Sequence, residues 1–198
     1  MMKILKQILL LALIGVFSSC NRNSELNNSD FDLIPYSGNE TLIFKSSENE
    51  IDSVFLNGLE LKKHELEKPK SGEIEFYDLK AKIPEMTENH NFKGKSIAYI
   101  STSTDNQIYI GFELTLADDW IDGQIQYSVT NFKDLPLTTL KIGIKEFKDV
   151  KVLISNKETE LEKTKMESQD RLYWSKSQGF LGLDKNGKEW RLINKYVP

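Results

Sequence analysis

Two acidic residues directly precede a tryptophan at Asp118, Asp119 and Trp120. Glycosidases use a pair of carboxylates to cleave the sugar bond, and an aromatic ring beside them can stack on the sugar. The same residues also fit a polar loop that closes a hairpin, with Trp120 folded onto the core. We favour the loop, because the chain has 30 acidic residues and adjacent pairs arise readily.

Aromatic residues are concentrated near the C-terminus, where Trp174, Phe180, Trp190 and Tyr196 follow one another closely. Such rings either form a platform for a ligand or pack into the core. Aromatic side chains bury large apolar areas and are enriched in strands, which favours core positions. Trp120, Trp174 and Trp190 are retained as candidates for ligand stacking.

Other catalytic and metal-binding patterns do not occur in the sequence. His64 and His90 are far apart, and no cysteine follows Cys20 with which to build a four-ligand zinc site. The chain has no G-x-S-x-G, Walker or G-x-G-x-x-G motif. The run from Asp184 to Gly187 predicts a turn, since Lys188 stands where a calcium loop needs an oxygen ligand. The sequence therefore assigns no catalytic residue, no metal site and no cofactor.

One cysteine stands at a position that suits lipid modification. An apolar run from Ile8 to Phe17 follows two lysines, and Ser18-Ser19 lead directly to Cys20, the single cysteine of the chain. The run has the length of a signal-peptide core and is too short to cross a bilayer as a helix. This pattern resembles the lipobox of bacterial lipoproteins, with Phe17 where the stricter pattern has leucine. The resemblance implies that residues 1–19 are a signal peptide and that Cys20 carries a lipid.

The residues after the cysteine bear on attachment and address. Residues 20–30 are rich in Asn and Ser, which predicts a flexible tether ahead of a single β-rich domain over residues 31–198. Each buried methylene contributes ~0.8 kcal/mol, so two or three acyl chains would hold the protein firmly in a membrane. Asn21 follows the cysteine, and under the sorting rule of enteric lipoproteins this implies the outer membrane, with the periplasmic face favoured.

The overall charge excludes one class of partner. The chain has 30 acidic and 26 basic residues, and three of the basic residues are arginines. Nucleic-acid-binding proteins neutralise phosphates with clusters of Lys and Arg, so this balance argues against nucleic acid. The expected partners are the membrane, through the lipid anchor, and an envelope protein or glycan.

Alternation of apolar and polar residues is the main structural signal. The clearest run has apolar residues at every second position: Ile108, Ile110, Phe112, Leu114 and Leu116. This period is typical of half-buried strands, and it recurs over residues 125–129, 140–144 and 150–154. No helical period alternates with the strands. The sequence therefore predicts an all-β domain, an antiparallel sandwich or barrel built of hairpins with at most one short helix.

Local signals also predict turns and one irregularity. The dipeptides Asn57-Gly58, Asp122-Gly123 and Asn186-Gly187 accept the positive φ angles of type I′ turns, which predicts a hairpin at each. A shift of one residue in the alternation after Phe76 predicts a β-bulge.

Two segments allow more than one structure. Residues 59–68 fit a strand or a short helix. Residues 157–167 are highly charged and fit a loop or one exposed helix.

Two stretches resemble small lipoproteins of Gram-negative bacteria that carry an uncharacterised β-rich domain. The first begins at Ile34-Pro35-Tyr36 and includes Leu42–Ser46. The second is the pattern Tyr-x-Ser-Lys, Gly and Asn-Gly-Lys-x-Trp-x-Leu between Tyr173 and Leu192. The resemblance implies an envelope address and a β fold, and it brings no activity and no catalytic residue.

Three functions follow as alternatives. The first is a non-enzymatic lipoprotein whose domain binds a protein, a glycan or another envelope component. The second is a small envelope hydrolase that acts on glycans, and the third is a carrier of an apolar ligand, similar to lipocalins. A binder has a filled core, a carrier an unfilled apolar cavity, and a hydrolase a cleft with convergent carboxylates. The missing nucleophile–base motifs favour the binder over the hydrolase.

Overall fold

The computed structural model describes residues 25–65, 73–82, 95–103, 107–120, 125–154 and 170–198. The predictions for Cys20, His90, the Asp122-Gly123 turn and residues 157–167 lie outside these ranges.

The described residues form thirteen strands and two short helices. The strands are β1 (Thr41–Ser46), β2 (Ile51–Glu65), β3 (Glu73–Ala81), β4 (Lys95–Thr102), β5 (Ile108–Phe112), β6 (Thr115–Leu116), β7 (Asp119–Trp120), β8 (Ile125–Ser128), β9 (Thr138–Ile142), β10 (Lys145–Ile154), β11 (Arg171–Ser175), β12 (Gly179–Lys185) and β13 (Lys188–Tyr196). The helices are α1 (Asn28–Phe31) and α2 (Val129–Asp134). The predicted all-β class is confirmed. There is one short helix more than predicted, because Asn27 and Ser128 each supply an N-cap side chain.

Eleven of the strands form one antiparallel sheet in the order β8-β5-β4-β3-β2-β1-β13-β12-β11-β10-β9. The two edge strands, β8 and β9, are consecutive in the chain, and α2 connects them. The sheet therefore curls around one core without closing into a barrel. Tyr127 of β8 spans the gap, because its hydroxyl donates to the Ile154 carbonyl and accepts from the Ile154 N–H, both at 3.1 Å.

Aromatic side chains fill the inner face of the sheet. The ring centroid of Trp174 lies 4.7 Å from that of Phe112 and 4.8 Å from that of Phe180. Tyr36 packs beside them, and its hydroxyl accepts a hydrogen bond from the Phe180 N–H at 2.7 Å. A Cβ at Gly179, where φ is +81°, would overlap the Tyr36 ring. Glycine is therefore required where Tyr36 enters the core.

The last residues of the predicted tether belong to the folded domain. Leu26 packs against the core, and its N–H donates to the Glu75 carboxylate of β3 at 2.9 Å. Asp30 is 2% exposed and lies 3.5 Å from the Lys133 ammonium of α2. Residues on the N-terminal side of the predicted boundary at residue 31 thus have partners in distant elements, which local composition does not reveal.

The Asn186-Gly187 turn is confirmed. Lys185 pairs with Lys188 across it, and the two turn residues have φ angles of 50° and 83°. These positive values are those of a type I′ hairpin.

The Asn57-Gly58 hairpin is wrong, because both residues lie inside the single strand β2. The pairing of β2 with β3 shifts between Leu56 and Leu59, which marks a β-bulge. Gly58 has a φ of 124°, and its N–H donates to the Gly38 carbonyl at 2.8 Å. The Gly38 carbonyl thus accepts the Gly58 N–H, and the chain continues as a strand instead of turning back in a hairpin. For residues 59–65 the strand alternative is confirmed.

The bulge predicted after Phe76 is also wrong. β3 pairs with β2 in unbroken register from Glu73 to Leu79, and its pairing with β4 shifts further along the strand, between Leu79 and Lys80. Phe76 lies on the outer face of the sheet and lines a groove there, whereas Leu79 is fully buried on the inner face. The shift in the alternation after Phe76 thus reflects apolar residues on both faces of β3, and the irregularity of this strand lies at Leu79 and Lys80.

Candidate ligand-binding groove

Two of the three tryptophans considered for ligand stacking lie inside the core. Trp174 is 1% exposed and Trp190 is fully buried, because β11 and β13 direct them to the inner face. Neither ring forms part of an exposed stacking platform. Trp190 lies opposite Leu183 in the β12–β13 pair. The core interpretation is therefore confirmed for both residues.

Trp120 has the opposite environment. It ends the small β6–β7 hairpin and is 54% exposed, so the expectation that it folds onto the core is wrong. Leu116 of the same hairpin, which pairs with Asp119, is fully buried and occupies the core instead. Trp120 thus keeps a ring surface that is available to a ligand.

Asp119 supports the core in place of forming a sugar-cleaving pair with Asp118. Its carboxylate accepts a hydrogen bond from the Trp190 indole N–H at 2.8 Å and lies 3.0 Å from the Lys188 ammonium. Burial raises the pKa of Asp119, but the hydrogen bonds from Trp190 and Lys188 outweigh it and hold the pKa below its usual range. Asp118 lies exposed in the turn of the hairpin.

A groove of about 470 Å³ lies on the outer face of the sheet, across β2, β3, β4 and β8. We call it the outer groove; it is lined by Lys62, Phe76, Asp78, Ser96, Tyr99, Ser101 and Gln126. Strand register explains why these side chains meet. One row of paired residues runs across five strands: Glu60, Asp78, Tyr99, Gly111 and Gln126.

The ring of Tyr99 lies over Gly111 on the neighbouring strand β5. A Cβ built at Gly111 would overlap the Tyr99 ring, so glycine is what allows the ring to lie down on the sheet. Glycine within a strand is a common mark of such a close approach. Phe76, Ser101 and Gln126 line the groove around this ring. The result is a recessed aromatic surface with hydrogen-bonding side chains beside it.

Charged residues border one side of the outer groove. The Ser96 hydroxyl donates to the Asp78 carboxylate at 2.5 Å. The ammonium groups of Lys62 and Lys80 lie 3.5 and 3.6 Å from the same carboxylate oxygen of Glu60. Contact with Lys62, together with burial, lowers the pKa of Lys80. The carboxylates of Asp78 and Glu60 thus both have partners within the protein.

One residue in the sequence indicates this site. Gly111 interrupts the strand between the buried residues Ile110 and Phe112. An isolated glycine in a strand indicates a bulge or the close approach of another group. Its partner Tyr99 could not be identified without the register of β4 against β5.

In the described part of the chain, no three or more His, Cys, Asp or Glu side chains are grouped so as to hold a metal ion. Among the same residues, no helix combines the length and the apolar composition needed to span a bilayer.

Comparison with known proteins adds no relative. No protein-family model matches the sequence, and neither the search of curated proteins nor that of solved structures found a match.

Proposed function

We propose that this chain is a membrane-anchored lipoprotein of the cell envelope and that its β domain is a non-enzymatic module that binds a glycan in the outer groove. The observation that carries the binding proposal is the Tyr99 ring lying over Gly111. Sugars present an apolar face of C–H groups that stacks on aromatic rings. Asp78, Ser101 and Gln126, which line the same groove, offer donors and acceptors for hydroxyl groups.

Binding fits the groove better than hydrolysis does. A glycosidase needs one carboxyl that donates a proton and a second that attacks or activates water. Of the two acids on this side, Asp78 accepts from Ser96 and Glu60 lies beside Lys62 and Lys80. A lipocalin-like carrier, with an unfilled apolar cavity inside the sheet, is also less favoured, since aromatic side chains fill the inner face of the sheet.

The binding proposal is tested by removing the ring of the groove. We expect Tyr99→Ala to weaken binding of soluble chito-oligosaccharides, measured by calorimetry, by roughly tenfold or more, the equivalent of ~1.4 kcal/mol. Gly111→Ala should have a similar effect, because the added Cβ displaces the Tyr99 ring.

Tyr109→Ala is the matched control. Tyr109 lies on the same outer face, beside Ser101, but does not line the groove. Pelleting with purified peptidoglycan gives a second readout. Equal binding by all three variants and the parent would reject the groove as the glycan site.

The anchor is tested separately, because it rests on the sequence pattern at Ser18-Ser19-Cys20. Cells fed labelled palmitate should incorporate the label into this protein, and Cys20→Ala should abolish it. Fractionation of the envelope should then place the labelled protein in the outer membrane. Labelling that survives the substitution would contradict the lipobox assignment.

A further inference from the structure

We propose a second binding site, independent of the outer groove, that accepts a small aliphatic carboxylate between α2 and the neighbouring strands. A pocket of about 390 Å³ lies there, within the range of small-molecule sites, ~300–1,000 Å³. We call it the lysine pocket; its principal lining residues are Leu33, Phe132, Lys133, Lys151, Trp174 and Lys176.

The central group of the lysine pocket is a buried cation. Lys151 is 6% exposed, and its ammonium donates to the carbonyls of Lys133 at 3.1 Å and Leu135 at 2.8 Å. An ammonium has three N–H donors, so these two bonds leave one. Across the described residues, no carboxylate lies within ion-pair distance of Lys151. Burying a charge without a counter-charge is costly, and an anionic ligand would supply that charge.

Basic side chains outnumber acidic ones among the residues that line the pocket. Lys133 and Lys176 line it together with Lys151, and Asp32 is the acid among them. Lys133 also pairs with Asp30, at 3.5 Å. Burial lowers the pKa of Lys151, whereas the charge of nearby Asp134 raises it and that of Lys176 lowers it. A bound carboxylate would favour the charged form of this lysine.

Apolar side chains form the rest of the pocket and select for a ligand with a hydrocarbon body. Phe132 is 2% exposed and Trp174 is 1% exposed, yet both reach the pocket lining. Leu33 is buried beside them, and Leu137 is 57% exposed. The Lys151 ammonium lies 5.3 Å from the centroid of the Phe132 ring, so the cation and the apolar wall are adjacent. A carboxylate with a short aliphatic chain would contact the ammonium with its charged end and the apolar wall with its chain.

The test is a titration of the purified Cys20→Ser chain with octanoate, followed by calorimetry and by tryptophan fluorescence, since Trp174 lines the pocket. Octanoate should bind and change the fluorescence. Octanol, which lacks the charge, and acetate, which lacks the chain, should each bind at least tenfold more weakly. Octanoate that binds no better than octanol would overturn the proposal.

Substitutions test whether Lys151 is the cation that binds the carboxylate. Lys151→Met keeps an unbranched side chain without the charge and should weaken octanoate at least tenfold while leaving octanol unchanged. Lys148→Met, an exposed position on the same strand, is the control and should bind octanoate as the parent does. If Lys151→Met does not fold, Lys176→Met at an exposed rim position should still weaken octanoate several-fold. Tyr99→Ala should bind octanoate normally, and equal binding by the lysine variants and the control would contradict the site.

Discussion

At the residue scale, Trp190 connects the core to the charged surface. Its ring is fully buried, and its indole N–H donates to Asp119. The Lys188 ammonium lies 5.0 Å from the Trp190 ring centroid and also pairs with Glu50, which raises the pKa of Lys188. The contacts of Asp119 with Trp190 and Lys188 thus hold the small β6–β7 hairpin against β13.

Replacing Trp190 should therefore destabilise the domain strongly. We expect Trp190→Ala to lower the free energy of unfolding by ~3–5 kcal/mol, because it leaves a large cavity and an unpaired Asp119. Trp120→Ala is the control, since this ring is 54% exposed and its loss should cost less than ~0.5 kcal/mol. Urea unfolding measures both. Similar stability of the two variants would contradict the structural role of Trp190.

At the element scale, Glu40 organises the turn that leads into β1. Its carboxylate is 4% exposed and accepts hydrogen bonds from the N–H groups of Ser37 at 2.7 Å, Gly38 at 2.8 Å and Asn39 at 3.0 Å. Gly38 in turn accepts the N–H of Gly58 in the β2 bulge. One side chain thus fixes the contact between the N-terminal segment and the sheet.

This arrangement predicts a dependence of stability on pH. Burial raises the pKa of Glu40, but hydrogen bonds from the N–H groups of Ser37, Glu40 itself and Gly38 and from the Ser37 hydroxyl outweigh it, and the pKa falls below its ordinary value of 4.5. The stabilisation is then fully present above about 4.5 and is lost as the pH falls through the lower, folded-state pKa. Glu40→Gln should reduce the loss of melting temperature between pH 5 and pH 3, whereas the exposed Glu146→Gln should not. Identical acid profiles for Glu40→Gln and the parent would contradict this role.

At the scale of the whole molecule, side chains join the two edges of the curled sheet. α2 runs from β8 to β9, and Lys151 of β10 binds its last carbonyls. Phe132 of α2 packs against Phe112 of β5, with ring centroids 5.5 Å apart. Tyr127 adds the hydrogen bonds from β8 to Ile154. In the described part of the chain, α2 and the side chains of Lys151 and Tyr127 thus connect the two edge regions of the sheet.

Removing the Tyr127 hydroxyl should loosen this closure. In Tyr127→Phe both backbone groups of Ile154 lose their partner, which should cost ~1–3 kcal/mol of unfolding free energy. The Ile154 amide should also exchange faster with solvent. Tyr109→Phe is the control, because its hydroxyl forms an exposed hydrogen bond with Gln107. Unchanged exchange at Ile154 would show that the edges are held without this side chain.

The sequence by itself determined the class of the fold and many of its strands. Alternation from Ile108 predicted β5, although that strand ends at Phe112 and Leu116 lies in the separate strand β6. The type I′ turn at Asn186-Gly187 depends on residues close in the chain, so local pattern was sufficient there. A two-residue turn also fixes the pairing of the strands that it joins, which accounts for the position of Trp190 opposite Leu183.

Tertiary structure decided the rest. Asn57-Gly58 has the same composition as the true turn, but the carbonyl of Gly38 receives the Gly58 N–H and the strand continues through the dipeptide. The outer groove needs Tyr99 over Gly111, and the lysine pocket needs Lys151 beside α2. These neighbours belong to different strands and helices. Their contacts depend on the register and curvature of the eleven-stranded sheet, which no local period encodes.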